Sequence, residues 1–579
     1  MSTSKLGGVT ALLAALLVAA DAVAAVQYVN PVPLGKSVAT PVGNVASGPT
    51  QVPLITWGGD IATVYANGNQ ATTAPNSIFG KLGLQLRLVR EDVFARQLDA
   101  YLSGRSPYLR GTLGMINMAA EATSRDPRTK PLIIYQMTWS AGGDALVVGE
   151  GIHSVKDLRG KSIALQAFGP HVDYLTKILA DAGLSTRDVT LKWVPDLTGT
   201  KNTPAMAMRA KDVDAALVII PDALALTSNG TVGTGSEDSV KGARILLSTK
   251  TASRIIADVY AVRSDYFESN RPAVERFVRG LIEGETALRD LVANKAARAA
   301  DYKRAMVGAA TLLLDSPQAV ADTEGMYGDA LFVRVPGNIA FFTDPKNPRR
   351  MELLNAEIQQ AFIGLGLLPS PIPLASANWD IAKIGTDAGA SASAPETQRF
   401  DAQQVAGIVA KRQSQGRLGE GELFTFEVQF KPNQDKFPAD LYADAFKRVA
   451  NLAATYGGAV ITVEGHSDPL GYLQAKKDGA SPVVLGRTQQ AAKNLSVSRA
   501  IGVRDSVIAF AKAQGIGLDA SQFAVVGHGI AMPKSGVCGT DPCAPKTEQE
   551  WLRNMRVEFR VIQVEAEASA FKPLTGEPK

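Results

Sequence analysis

The sequence predicts an α/β protein made of two unequal folded regions joined by a flexible linker. Three observations carry this. Short apolar segments alternate with helical stretches through most of the chain before residue 384. The run IGTDAGASASAPETQRFD, from Ile384 to Asp401, is small and polar and offers little that could pack. Beyond it a shorter region resumes the alternation. At 579 residues the chain has room for two or more domains, and 46% hydrophobic residues can build real cores.

The first residues, MSTSKLGGVTALLAALLVAADAVAAVQYVNP, place Lys5 ahead of an apolar run from Leu6 to Ala20. Small residues at Ala20-Asp21-Ala22 and Ala22-Val23-Ala24 then supply cleavage sites, so residues 1–25 read as a secretory signal peptide. An uncleaved anchor in an inner membrane fits too, since apolar residues continue to Val26 and ~20 of them span a bilayer. Asp21 in mid-span disfavours that reading. Both export the rest of the chain. Residues 26–51 are rich in Pro, Val, Gly and Ser without a period and read as an extended linker. The tail 566–579 reads as disordered.

The net charge is +4, with basic and acidic residues interspersed, so no basic block marks a nucleic-acid partner. The two cysteines, Cys538 and Cys543, lie close together in GVCGTDPCAP. In an exported chain they read as one local disulfide. A zinc site would need more ligands, and only His528 is near in sequence. No cofactor is implied.

In the larger region, 52–383, the segments LITW, LQLRLV, TLGMIN, LIIYQM, DALVVG, SIALQ, VTLKWV, AALVII, ARILLS and DVYAVR read as strands. YLTKILADAGL, TPAMAMRAK and PAVERFVRGLIEGETALRDLVANK read as helices. This alternation predicts mostly parallel sheets, with ligands beyond the carboxyl ends of strands. In KSIALQAFGPHVDYLTKILADAGL a strand passes through a loop into a helix. Gly169 permits a bend and Pro170 suits the first helical turn. The helix N-terminus there could hold an anion or a polar group, although an ordinary connection has the same local pattern.

HSVKDLRGKSIAL, DYLTKILADAGLSTRDVTL, KDVDAALVIIPDA and RSDYFESNRPAVERFVRGLIEG follow one another in an order that resembles periplasmic substrate-binding proteins of the nitrate, sulfonate and taurine transporter type. The resemblance covers roughly 52–375. It implies two α/β lobes closing on a small solute, with anions among the candidates, and an ABC-transporter permease as partner. The strand-end residues it places in the cleft are Trp57, Gly58, Gly114, Met115, Phe168, Gly169, His171, Thr198 and Asp222. Pro170 stands where the family often has a serine, so a hydroxyl donor is lost.

The smaller region, 402–565, reads strand, helix, strand, helix, strand, strand, which puts helices beside a mixed sheet. Its stretch VEGHSDPLG holds one of only four histidines. His466, Ser467 and Asp468 leave a strand with alternating directions, so they do not converge as a catalytic triad. Metal chemistry would need further ligands. Asp468 at the strand end and Arg499 on the next helix could form a salt bridge or clamp a zwitterion. Ser496 reads as an N-cap or early-turn residue of that helix.

GHSD, LSVSRA, VVGHG and NMRVEF together resemble the OmpA-like peptidoglycan-associating domain. That resemblance implies binding of the diaminopimelate side chain of peptidoglycan, with Asp468 on its amine, Arg499 on its carboxylate, and Ser467, Asn554 and Arg556 at the site. His466 is then a buried support of the turn. Residues 472–494 include an insertion relative to the compact family pattern, and Met555 replaces an arginine. The whole reads as a non-catalytic envelope protein, solute-binding at one end and wall-binding at the other. A sensor or scaffold that has left transport and contacts a protein partner is the alternative.

Overall fold

A computed structural model describes residues 25–236, 238–391, 402–416, 418 and 425–562. The signal or anchor segment before residue 25, linker residues 392–401 and the tail 566–579 lie outside the described residues.

Strands are numbered in chain order. β1 (Thr50–Leu54) and β2 (Leu86–Arg90) form a parallel pair. β3 (Tyr108–Thr112) and β4 (Pro131–Ser140) belong to a first sheet. The chain then crosses to a second sheet of β5 (Asp144–Val148), β6 (Ser162–Gln166), β7 (Thr190–Val194), β8 (Ala215–Ile219) and β9 (Arg244–Ser248). It returns to the first sheet with β10 (Ala257–Arg263), β11 (Ala330–Phe332) and β12 (Ala375–Ser376). The sheet orders are β11-β4-β10-β3, with β12 beside β4, and β7-β6-β8-β5-β9.

Two lobes follow directly, joined by the crossings 141–143 and 249–256. Thr249 ties these crossings together: its Oγ1 accepts from the backbone N–H of Gly142 and of Asp144 at 3.1 Å each, and lies 2.9 Å from Ser140 Oγ.

The expectation of mostly parallel sheets is corrected. Only β6 pairs in parallel within the second sheet, with β7 and β8, while β5 runs against both β8 and β9. In the first sheet β10 is antiparallel to β3 and β4. The outgoing strand of one crossing and the returning strand of the other lie side by side, so they run in opposite directions. The expected strand TLGMIN is also corrected. β3 ends at Thr112, whose Oγ1 accepts from Met115 N at 3.1 Å and caps the helix Leu113–Met118. Every residue of that helix is buried, so its apolar run carries no period that separates helix from strand.

Neither linker is wholly loose. Residues 26–51 form a packed strap: Val29 N donates to Trp193 O in the second lobe, and Gly43 N donates to Leu102 O in the first, each at 2.9 Å. Leu34 and Val38, one helical turn apart, are buried. Thr50 and Gln51 already belong to β1. Of the second linker, residues 384–387 finish the helix Ile381–Asp387, which buries Ile381 and Ile384 and is capped by Asp380 on Lys383 N (2.9 Å).

The smaller region folds as β13 (Thr425–Gln429), β14 (Val460–His466), β15 (Phe523–Gly529), the short hairpin β16 (Val537–Cys538) and β17 (Asp541–Pro542), and β18 (Arg556–Ile562). Its sheet order is β13-β18-β14-β15, with β14 and β15 parallel and the other two pairings antiparallel. The helix Ala402–Ser414 adds Val405, Ile408 and Val409 to a cluster with Ala524 and Val526 of β15. The inserted residues 472–494 are helical except for the turn 478–481, which separates Leu470–Lys477 from Pro482–Gln514. That 33-residue helix starts at Ser481, so Ser496 is interior and not a cap.

The two regions also touch. Tyr456 OH donates to Asp181 Oδ2 (2.8 Å), Arg254 N to Thr455 O (3.2 Å) and Gly458 N to Thr251 O (3.1 Å). Two of these three contacts fall on the crossing 249–256. Gly458 has to be glycine there, because a Cβ would stand 1.7 Å from Lys250 O.

Candidate functional sites in the cleft and at the Asp468 turn

A cavity of about 620 Å³ lies between the lobes, where β4 leaves the first sheet and β5 enters the second. This volume is within the usual range for small-molecule sites. Trp57, Met115, Phe168, Gly169 and Thr198 line it. Trp57 is fixed by its indole, which donates to Thr138 Oγ1 at 2.9 Å, and Thr138 in turn donates to Asp258 Oδ2 at 3.0 Å. Phe168 holds a left-handed backbone (φ 60°), the bend that Gly169 was expected to supply. Such a conformation is uncommon for a bulky residue and persists only where surrounding structure imposes it.

Four expected cleft residues do not reach the cavity lining. Gly58 is packed under the chain, where a Cβ would stand 1.8 Å from Met326 O. Gly114 lies in the buried helix beside Asp173. His171 is fully buried, and its Nε2–H donates to Asp144 Oδ1 at 2.7 Å. Its role is to hold Asp144, which does line the cavity. Asp222 sits one layer back, its carboxyl raised by burial and pulled down by a hydrogen bond from Thr198.

Sequence reading missed Asp92, Asp144, Asp196 and Asp258, and the strap residues Val29 to Val32. Asp144 and Asp258 were visible as acids at the ends of otherwise apolar strands. Behind Asp258 lies a fully buried ion cluster. Arg110 donates to Asp60 through Nε (3.2 Å) and Nη2 (2.8 Å), and to Asp258 Oδ1 through Nη1 (3.1 Å). Two carboxylates thus share one guanidinium. Burial pushes Asp60 up to about 7 against the pull of Arg110, and it raises Asp258 as well.

In the smaller region Asp468 is half-buried at the end of β14. Its Oδ2 accepts from Leu470 N at 2.8 Å, and Asn554 Nδ2 approaches Oδ1 at 3.4 Å. Burial raises its pKa, while these donors and the Arg499 charge lower it. Arg499 does not close an ion pair with Asp468. It is fully buried, donating to the carbonyls of Gln434 (2.8 Å), His466 (3.2 Å) and Lys431 (3.2 Å), with Phe430 under its guanidinium. Burial lowers its pKa to about 10.

Ser467 is tied to the backbone: its Oγ donates to Ala492 O (2.8 Å) and its N–H to Gly529 O (2.8 Å). Asn554 accepts from Lys534 N at 2.7 Å. Arg556 is buried and donates to Glu558 Oε1 at 2.6 Å. Cys538 and Cys543 form a disulfide across the short β16–β17 hairpin.

Glu464, His466 and His528 cluster tightly enough to be tested as a metal site. They do not fit one. The two imidazoles stack with centroids 4.7 Å apart and planes 17° apart, and a ring nitrogen's lone pair lies in its ring plane. Near-parallel planes do not aim at a common ion. Glu464 is already engaged by Arg560 Nε (2.8 Å), Thr462 Oγ1 (2.7 Å) and His528 Nε2 (2.9 Å). The cluster reads as a structural ionic network beneath the turn.

The NMT1/THI5-like family matches residues 145–290, from β5 through the second lobe into the helix Ser264–Ala293. No curated protein matches the chain. Similar solved structures include the alkanesulfonate-binding protein SsuA of Xanthomonas axonopodis pv. citri bound to MOPS, at 19% identity and TM-score 0.38, covering 57% of this chain and 98% of that one. The periplasmic aliphatic sulphonate binding protein SsuA of Escherichia coli is similar at 16% identity and TM-score 0.39, over 58% and 95%. The desulfurization enzyme DSZB is similar at 16% identity and TM-score 0.35, over 58% and 99%.

Proposed function

We propose that this chain is an exported, non-catalytic binding protein of a Gram-negative-type envelope. Its larger region captures a small organic solute in the interlobe cavity. Its smaller region holds peptidoglycan at the Asp468 turn. The observation that carries the first half is the cavity at the double crossing, supported by the NMT1/THI5-like match across the lobe that forms one wall. Closure of two lobes about such crossings would bury a ligand between them. A permease of the ABC type is the partner this reading implies.

The second half rests on the GHSD turn and its neighbours. In this reading Asp468 takes the ammonium of diaminopimelate, while Ser467, Asn554 and Arg556 hold the turn and the loops around it. Arg499 serves from beneath: its three carbonyl bonds join the loop 431–434 to the end of β14, and its charge reaches Asp468. Contact with the ligand carboxylate requires the loop 431–434 to shift. The test is co-sedimentation of the full chain with purified sacculi, beside Asp468→Ala. Binding by the parent and loss in the variant supports the wall reading. Equal binding by both refutes the assignment of Asp468.

The sensor reading is favoured by one observation. The smaller region is docked on the crossing 249–256 through Thr251 and Arg254, so movement between the lobes would be felt at the wall-binding module.

A further inference from the structure

We propose that the cleft selects an organic cation: a protonated amine or quaternary ammonium carried on an apolar or aromatic body. This rests on the reading of the cavity as the solute site. Four aspartates, Asp92, Asp144, Asp196 and Asp258, line the cavity, and no lysine, arginine or histidine does so among the described residues. Asp144 and Asp196 carry the negative sign most plainly, having no lysine or arginine partner among the described residues. Asp144 receives Ser140 Oγ (2.6 Å) and the His171 imidazole (2.7 Å), and Asp196 receives Thr200 Oγ1 (2.7 Å). Asp92 receives the Thr56 N–H (2.7 Å) and hydroxyl (2.8 Å), with Arg90 Nε farther off at 3.6 Å. Asp258 shares its one guanidinium with Asp60.

Asp144 and Asp258 are buried in the wall of a half-open cleft, Asp92 lies exposed at its rim, and most of the remaining lining is apolar or aromatic, including Trp57, Phe94 and Phe168. Aromatic faces attract cations, Trp most strongly, and a carboxylate with free lone pairs takes an ammonium N–H. An anion in the same space would meet four carboxylates, while the two guanidiniums nearest them, Arg90 beside Asp92 and Arg110 behind Asp258, do not line the cavity. Pro170, at the mouth of the helix His171–Asp181, removes one N–H that an oxyanion would use.

The experiment is calorimetric titration of the full chain with three probes of matched shape: tryptamine as cation, tryptophol as neutral, and indole-3-acetate as anion. MOPS serves as a second anion. Two variants accompany it. Asp144→Asn removes charge at nearly constant volume, and Trp57→Ala removes a wall without changing charge. The expected result is that tryptamine binds at least ten-fold more tightly than either indole-3-acetate or MOPS. Asp144→Asn should erase most of that preference while changing tryptophol binding less than three-fold. Trp57→Ala should weaken all ligands that bind. An anion that binds as tightly as tryptamine, with binding lost in Trp57→Ala, overturns the charge class and leaves the cleft reading standing. Binding untouched by Trp57→Ala, or no binding by any probe, overturns the cleft reading and the charge class with it.

Discussion

His466 should make the smaller region acid-labile, and the size of the effect can be worked out. The ring is buried beneath the turn, stacked on His528. Neither ring nitrogen makes a full hydrogen bond among the described residues, and the groups that would favour a proton, Glu464, the Met532 backbone and Glu558 at 3.9 Å from Nε2, do not outweigh burial. Burial, the Arg556 charge and His528 together push its pKa from 6.5 down to about 2. The folded form therefore resists the proton that the unfolded chain accepts. A histidine with a depressed folded pKa contributes stability that is complete above 6.5 and is lost as pH falls toward 2. Each pH unit in that window costs about 1.4 kcal/mol, so moving from pH 7.5 to 4.5, two units of it below 6.5, costs about 3 kcal/mol.

Glu464 adds to the effect only at lower pH. Burial would raise it, but His528, Arg560 and Thr462 hold it at about 2, so its own contribution is lost below its ordinary 4.5. The assay is pulse proteolysis in urea at pH 7.5 and 4.5, with peptides from 425–562 followed by mass spectrometry, in the parent chain and in His466→Gln. The parent should lose about 3 kcal/mol more than the variant on acidification. An equal loss in both proteins would refute the reasoning, since the proton would then be taken up elsewhere.

Arg110→Met should leave Asp60 and Asp258 buried without a cation, at a cost of about 3–5 kcal/mol. Calorimetric melting should show the larger region's transition lowered by several degrees at pH 7.5, and the deficit should shrink toward pH 5 as the two acids take up protons. Gly458→Ala should undock the smaller region, because its Cβ would collide with Lys250 O. Exchange of the backbone amides at positions 254 and 458 should then quicken, while both cores keep their far-ultraviolet signatures.

Much of the architecture was legible in the sequence, because it follows from local periodicity. SIALQ, VTLKWV and AALVII became β6, β7 and β8 within a residue or so, since a pleated strand and its flanking turns are written in adjacent residues. The strand-to-helix junction at Phe168–His171 and the strand leading to Asp468 were legible for the same reason. The failures were of other kinds. TLGMIN became a helix because full burial removes the periodic signal. Residues 26–51 and 384–391 read as linkers because irregular chain packs through a few isolated side chains, Leu34, Val38 and Ile384 among them.

The residues that carry each proposal divide in the same way. Asp468, Ser467 and their turn are contiguous, so sequence alone brought them together. The cleft is assembled from Trp57, Phe94, Asp144, Phe168, Asp196 and Asp258, which share nothing along the chain. Sequence determined that there would be two α/β regions and a polar turn where the strand ending at His466 gives way to Asp468. Tertiary structure alone decided that His171 backs Asp144, that Arg499 lies under its own loop, and that the cavity wall is acidic. The reason is physical. Periodicity reports which face of an element is buried, whereas the sign of a cavity depends on which distant strand ends converge and which of their charges find a partner.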